Sequence, residues 1–87
     1  MAKRRRSFVK TLEKVEKRMQ FTRELIEDQY RALTVQGYSE LIMTGYQQNV
    51  AAVREAKELI KRAHELRRKR RYTDAINLLE KAYYILS

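Results

Sequence analysis

Proline is absent from this 87-residue chain, and glycine occurs only at Gly37 and Gly45. A β-rich domain needs turn residues about every 8–12 positions, and this chain lacks them. Arginine, lysine, glutamate, leucine and alanine dominate the rest, and all are strong helix formers. The fold class expected is therefore all-α, with long helices and few turns. Eighty-seven residues allow one domain with a thin core. With no cysteine there are no disulfides or thiolate metal sites to staple it. Stability must come from helix packing or from a partner subunit.

Hydrophobic spacing divides the chain into three helices. Residues 1–6 read as a basic tail, and 7–87 as a single helical domain with Ser7 as the first cap. Phe8, Leu12, Val15, Met19, Thr22, Ile26 and Leu33 follow a heptad stripe, which Phe21 and Leu25 widen on one side. Gly37 suits a C-terminal cap because it takes positive φ without steric cost, so the first helix is expected over about 7–36. Ser39 caps a second helix over about 39–70, whose apolar face runs from Leu41 and Ile42 to Leu66. Gly45 lies inside that pattern and either bends the helix or breaks it, leaving 38–44 as a separate turn. Thr73 caps a short third helix over about 73–86. Short links make neighbours antiparallel. The architecture expected is an antiparallel hairpin of two long helices plus a short third one, an up-down-up bundle, in an oligomer.

Leu59, Ala63 and Leu66, followed by Tyr72, Ala75, Leu79 and Ala82, stand at the spacings of a paired-helix repeat. Residues 59–82 resemble a single tetratricopeptide-repeat hairpin, of the kind also found in microtubule-interacting-and-trafficking domains and in nucleotidyltransferase-partner helical domains. That resemblance implies two helices brought close by small residues. The family usually has Gly or Asn near the turn, where this chain has Lys69, Arg70 and Arg71. The match covers about a quarter of the chain and occurs once, whereas repeat arrays need about three units. Close hairpin packing is the better reading, ahead of a peptide-binding groove.

The formal charge is +9, unevenly spread. Residues 1–23 carry nine basic and two acidic side chains, net +7; residues 54–72 carry nine and three, net +6. Residues 24–53 carry one basic and four acidic, net −3. On an up-down-up bundle, Arg4, Arg5 and Arg6 would meet Arg67, Arg68, Lys69, Arg70 and Arg71 at one pole. Arginine grips phosphate oxygens in bidentate fashion, and neutralising phosphates releases counterions. The partner expected is nucleic acid or another polyanion. Zinc-finger spacing, an aromatic ribonucleoprotein motif and a helix-turn-helix signature are all missing, so the backbone rather than the bases would be read. The competing reading is that Arg67 to Arg71 merely relieve a helix dipole and Arg4 to Arg6 form a solvated tail.

The third helix is too short to cover the whole hairpin. The end left over holds Leu25, Ile26, Tyr30, Leu33, Val35, Tyr38, Leu41, Ile42, Met43 and Tyr46, too many for one two-helix seam. An apolar patch of that size marks an interaction site. A homodimer or higher oligomer is expected through Leu25, Ile26, Tyr30, Leu33, Tyr38, Leu41, Ile42 and Tyr46, unless 38–44 folds back and covers the patch.

No catalytic, cofactor-binding or metal-binding set emerges, so no enzyme, cofactor or small-molecule substrate is expected. His64 is the only histidine and has no second histidine or cysteine to share a metal. Asp74 suits a helix start. There is no phosphate-cradling glycine loop, and Tyr72, Tyr83 and Tyr84 read as packing residues. No stretch nears the ~20 apolar residues that span a bilayer, and Met1 to Arg6 lead into no apolar signal region. The leading expectation is a non-enzymatic, small basic accessory protein that oligomerises and binds a polyanion, in the cytoplasm, on a nucleoid or in a virion. Two alternatives stay open. One is a protein-interaction adaptor or inhibitor that uses the apolar end or the C-terminal hairpin. The other is a structural assembly subunit.

Overall fold

The computed structural model describes residues 2–87. Three α-helices account for all the regular structure among them: α1 (Ala2–Val35), α2 (Glu40–Arg68) and α3 (Tyr72–Leu86). They form an all-α bundle. It is a rod of 53 × 16 × 16 Å with a radius of gyration of 15.5 Å, where a compact chain of this length would have about 12 Å.

α1 starts earlier than the spacing predicts. The run from Lys3 to Arg6 is helical, not a tail, and Ser7 does not open the helix. Lysine, arginine and alanine favour helix, and nothing between Ala2 and Phe8 interrupts it. The Ser7 carbonyl accepts from the Thr11 hydroxyl at 2.8 Å, as an interior residue does. α1 ends at Val35, and Gly37 follows at φ +98°. Ser39 then caps α2 as expected: its backbone is extended, and its Oγ accepts from the Ile42 amide at 3.4 Å.

α2 runs unbroken through Gly45, so 38–44 does not fold back as a separate turn. The glycine has a local reason. A Cβ there would lie 3.0 Å from Gln29 Nε2, and Gln29 Oε1 accepts from Asn49 Nδ2 at 3.1 Å. Gly45 makes room for an amide pair between α1 and α2.

α2 stops at Arg68, two residues short of the expected end, in a left-handed cap. Arg70 has φ 61°. Its amide donates to the Arg67 carbonyl at 2.8 Å, and the Arg71 amide donates to the Leu66 carbonyl at 2.9 Å. These are the two bonds of a Schellman motif, with arginine where glycine is usual. α3 follows at once, with Arg71 as its N-cap; Thr73 lies inside the first turn.

The core lies towards the chain termini. Phe8, Val15 and Met19 of α1 pack with Val53, Ala56, Leu59 and Ala63 of α2 and with Ala75, Leu79, Ala82 and Leu86 of α3. Buried Thr22 satisfies its hydroxyl on the Arg18 carbonyl at 3.0 Å. Among the described residues, none from 23 to 52 is fully buried. Phe8 meets His64, Gln29 meets Asn49, and Tyr30 meets Tyr46. Residue numbers therefore fall along α2 as they rise along α1.

The crowding at Gly45 gives a double-mutant test. Gly45→Ala should gain about 1 kcal/mol of helix propensity, offset in the native chain because the methyl displaces the Gln29 amide. In a Gln29→Ala background the full gain should appear. Urea unfolding of the four proteins should return a coupling of about 0.5–1 kcal/mol; strict additivity would show that Gly45 does not serve that amide pair.

Candidate polyanion-binding pole and apolar end

Phe8 sets the geometry of the basic end. Its ring is fully buried, 5.8 Å from the His64 ring in an edge-on contact, with the Arg67 guanidinium 5.5 Å from its centroid. This brings the first turns of α1 to the last turns of α2. Ala2 lies six residues before Phe8, about 9 Å along the axis, and Arg68 four after His64, about 6 Å. Arg4, Arg5 and Arg6 therefore reach the end of the rod where Arg67, Arg68, Lys69 and Arg70 lie, and all seven are exposed.

The cationic side chains differ in what occupies them. Arg71 pairs with Asp74 at 2.6 Å across the first turn of α3, a half-exposed contact that contributes little to stability. Asp74 also supplies the negative charge that favours a helix N-terminus. Arg67 stacks on Phe8. Arg4, Arg5, Arg6, Arg68, Lys69 and Arg70 have neither an ion pair nor a side-chain hydrogen bond among the described residues.

Helix dipoles separate the two runs. Arg67 and Arg68 occupy the last turn of α2, where cations are stabilising. Lys3 to Arg6 occupy the start of α1, with no acidic residue in its first turn. There they oppose the dipole and repel the α2 cluster. Relief of a helix terminus explains the first run and not the second.

At the other end, the eight residues expected at an interface divide in two. Ile26, Leu33, Ile42 and Tyr46 are half-buried, whereas Leu25, Tyr30, Tyr38 and Leu41 are exposed. Tyr30 and Tyr46 still meet, ring centroids 6.3 Å apart. Val35 (77% exposed), Tyr38 (73%) and Leu41 (84%) form the tip. Val35 belongs with the exposed group although the heptad stripe passes it by. Phe21 is exposed too, under the Arg18 guanidinium at 4.8 Å.

The tyrosines near the C-terminus also divide. Tyr72 and Tyr83 pack on the core, and Lys14 Nζ sits 4.3 Å from the Tyr83 ring centroid. Tyr84 does not pack: it is 82% exposed, because it falls on the outer face of α3. His64 is half-buried against Phe8. Among the described residues no cluster of three metal-ligating side chains occurs, and no helix is long and apolar enough to cross a membrane.

No family model, curated protein or solved structure matches the chain significantly.

Arg70 offers a direct test of what the pole is for. A left-handed backbone costs a non-glycine residue roughly 1–2 kcal/mol. Arg70→Gly should therefore raise unfolding stability by about 1 kcal/mol while weakening binding to a polyanion. Thermal melts and binding titrations on the same sample check both signs. Unchanged stability would remove the strain, and unchanged binding would remove Arg70 from the pole.

Proposed function

We propose that the protein is a non-enzymatic, self-associating helical protein whose basic pole docks on the phosphate backbone of nucleic acid. The reading takes the chain as an antiparallel up-down-up bundle with its two activities at opposite ends. The observation that carries it is the unneutralised Lys3–Arg6 run held beside Arg67 to Arg70 by Phe8, against the dipole of α1. Eight exposed cations at one end of a rod only 16 Å wide repel one another, and a phosphate backbone relieves that repulsion. Arginine provides most of them and suits bidentate contact with phosphate.

A second reading has its own support. The tip formed by Val35, Tyr38 and Leu41 is apolar and exposed, which also suits an adaptor or inhibitor that grips another protein, or a subunit of a larger assembly. Recovery of one stoichiometric protein partner, with no nucleic-acid affinity, would favour it.

Binding to duplex and single-stranded nucleic acid across a salt series decides between them. Each phosphate neutralised contributes about −0.9 to the slope of log K against log salt on duplex DNA. Changing Arg67, Arg68, Arg70 and Arg71 together to alanine should flatten that slope by about 2–4 and lower low-salt affinity at least tenfold, with little dependence on base sequence. No affinity at low salt, or affinity indifferent to the four changes, would defeat the proposal.

A further inference from the structure

α3 stops part-way along its neighbours. Arg18 Nε donates to the Leu86 carbonyl at 3.0 Å, so the last turn of α3 lies level with Arg18. From Thr22 to Val35, α1 continues for 14 residues beside α2 without a third helix, a length of about 21 Å. α3 itself has 15 residues, about 22 Å. The uncovered groove is as long as the covered one.

The face that receives α3 continues into the uncovered half. On α2, Ala63, Ala56, Ala52, Gly45 and Leu41 recur at steps of seven, four, seven and four, which is one helix face. Ala63 and Ala56 are buried, while Leu41 is almost fully exposed. On α1, Phe21 lies beside Arg18 and Tyr83 at the end of α3. Leu25 and Val35 extend the same side to the tip, and both are exposed.

We infer that a second copy of this chain fills the groove, overlapped antiparallel about a two-fold axis. The two distal halves then form a four-helix bundle, and each copy continues the layer that the other's α3 begins. Three observations select this occupant. The first is length: the uncovered segment of one copy matches that of the other by identity. The second is area: Phe21, Leu25, Val35, Tyr38 and Leu41 expose on the order of 600 Å² per copy, most of the roughly 800 Å² that each partner gives to a standard interface.

The third is charge. The distal half carries Glu24, Glu27, Asp28 and Glu40 against Arg31 alone, while Arg18, Arg23, Arg54 and Lys57 lie just basal to it. With Val35 of one copy level with Thr22 of the other, the two basic poles lie at opposite outer ends and the net-acidic distal halves lie between them. A parallel overlap would set pole beside pole.

The consequence rests on the polyanion reading proposed above. Two rods of 53 Å overlapping by about 21 Å span roughly 85 Å, with a basic pole at each outer end. Such a dimer bridges two nucleic-acid segments, because its poles face opposite directions.

The test has separate arms for the dimer and for the bridge. Sedimentation equilibrium should give twice the 10.5 kDa chain mass, and Leu25→Lys with Leu41→Lys should give a monomer that keeps its helical circular dichroism. The chain has no cysteine, so oxidation of mixed Leu25→Cys and Ala32→Cys proteins reports register. The 25–32 disulfide should outrun 25–25 by tenfold or more. A monomer at several hundred micromolar, or a dominant 25–25 disulfide, overturns the antiparallel dimer. For the bridge, native protein should co-capture a second labelled duplex on a bead carrying the first, and the double-lysine monomer should bind one duplex without bridging. A dimer of the right register that binds duplex but fails to bridge overturns the bridging inference. A dimer that binds no duplex leaves the interface standing and overturns the polyanion reading alone.

Discussion

The rest of the molecule depends on the mismatch between a 15-residue α3 and neighbours of 34 and 29 residues. Burial of apolar surface is the main favourable term in folding, at about 25 cal/mol per Å², and two helices alone shelter little of it. Among the described residues, every fully buried side chain of α1 and α2 lies within reach of α3 or one turn beyond it, from Phe8 to Thr22 on α1 and from Val53 to Ala63 on α2. Where α3 ends, burial ends. The distal half is held by partial contacts such as Tyr30 on Tyr46 and the Gln29–Asn49 amide bond, whose approach Gly45 permits.

Electrostatics follow the same division. The half with the core carries the positive charge and the half without it carries the negative excess. A packed end tolerates mutual repulsion among Lys3, Arg4, Arg5 and Arg6 because Phe8, Val15 and Leu79 anchor it. Arginine in the left-handed position at residue 70 fits that arrangement: backbone comfort gives way to another cation at the pole. Under the proposed function, the loss in folding stability is recovered when phosphate binds.

Much of this was legible in the residues, for identifiable reasons. Heptad spacing located the inner stripe of α1, because a buried face repeats with the helix. Ser39 and Gly37 marked the α1–α2 turn because cap chemistry is local. Local signals mislead where they are permissive. Ser7 looked like a cap, yet lysine and arginine before it carry no stop signal, and the helix runs on to Ala2. At Gly45 the sequence leaves a bend or a break open, since the glycine's reason is an amide from another helix that no local pattern announces. α2 ends two residues before the expected position because its cap is arginine rather than glycine. Tyr84 matches Tyr83 in type, but adjacent helical positions face about 100° apart, and only Tyr83 packs on the core. Of the polar site, the cationic clusters were visible in the sequence; the stacking of Arg67 on Phe8 and the capture of Arg71 by Asp74 needed the structure.

The central claim is that the distal half is incomplete in one copy and is completed by another. Amide hydrogen exchange at about 2 µM and about 200 µM protein tests it residue by residue, because local opening reflects local burial. Protection between residues 24 and 50 should rise several-fold or more with concentration, while Phe8, Val15 and Leu79 keep the same protection at both. Distal protection that is independent of concentration, or already equal to that of the core at the lower one, would contradict the account.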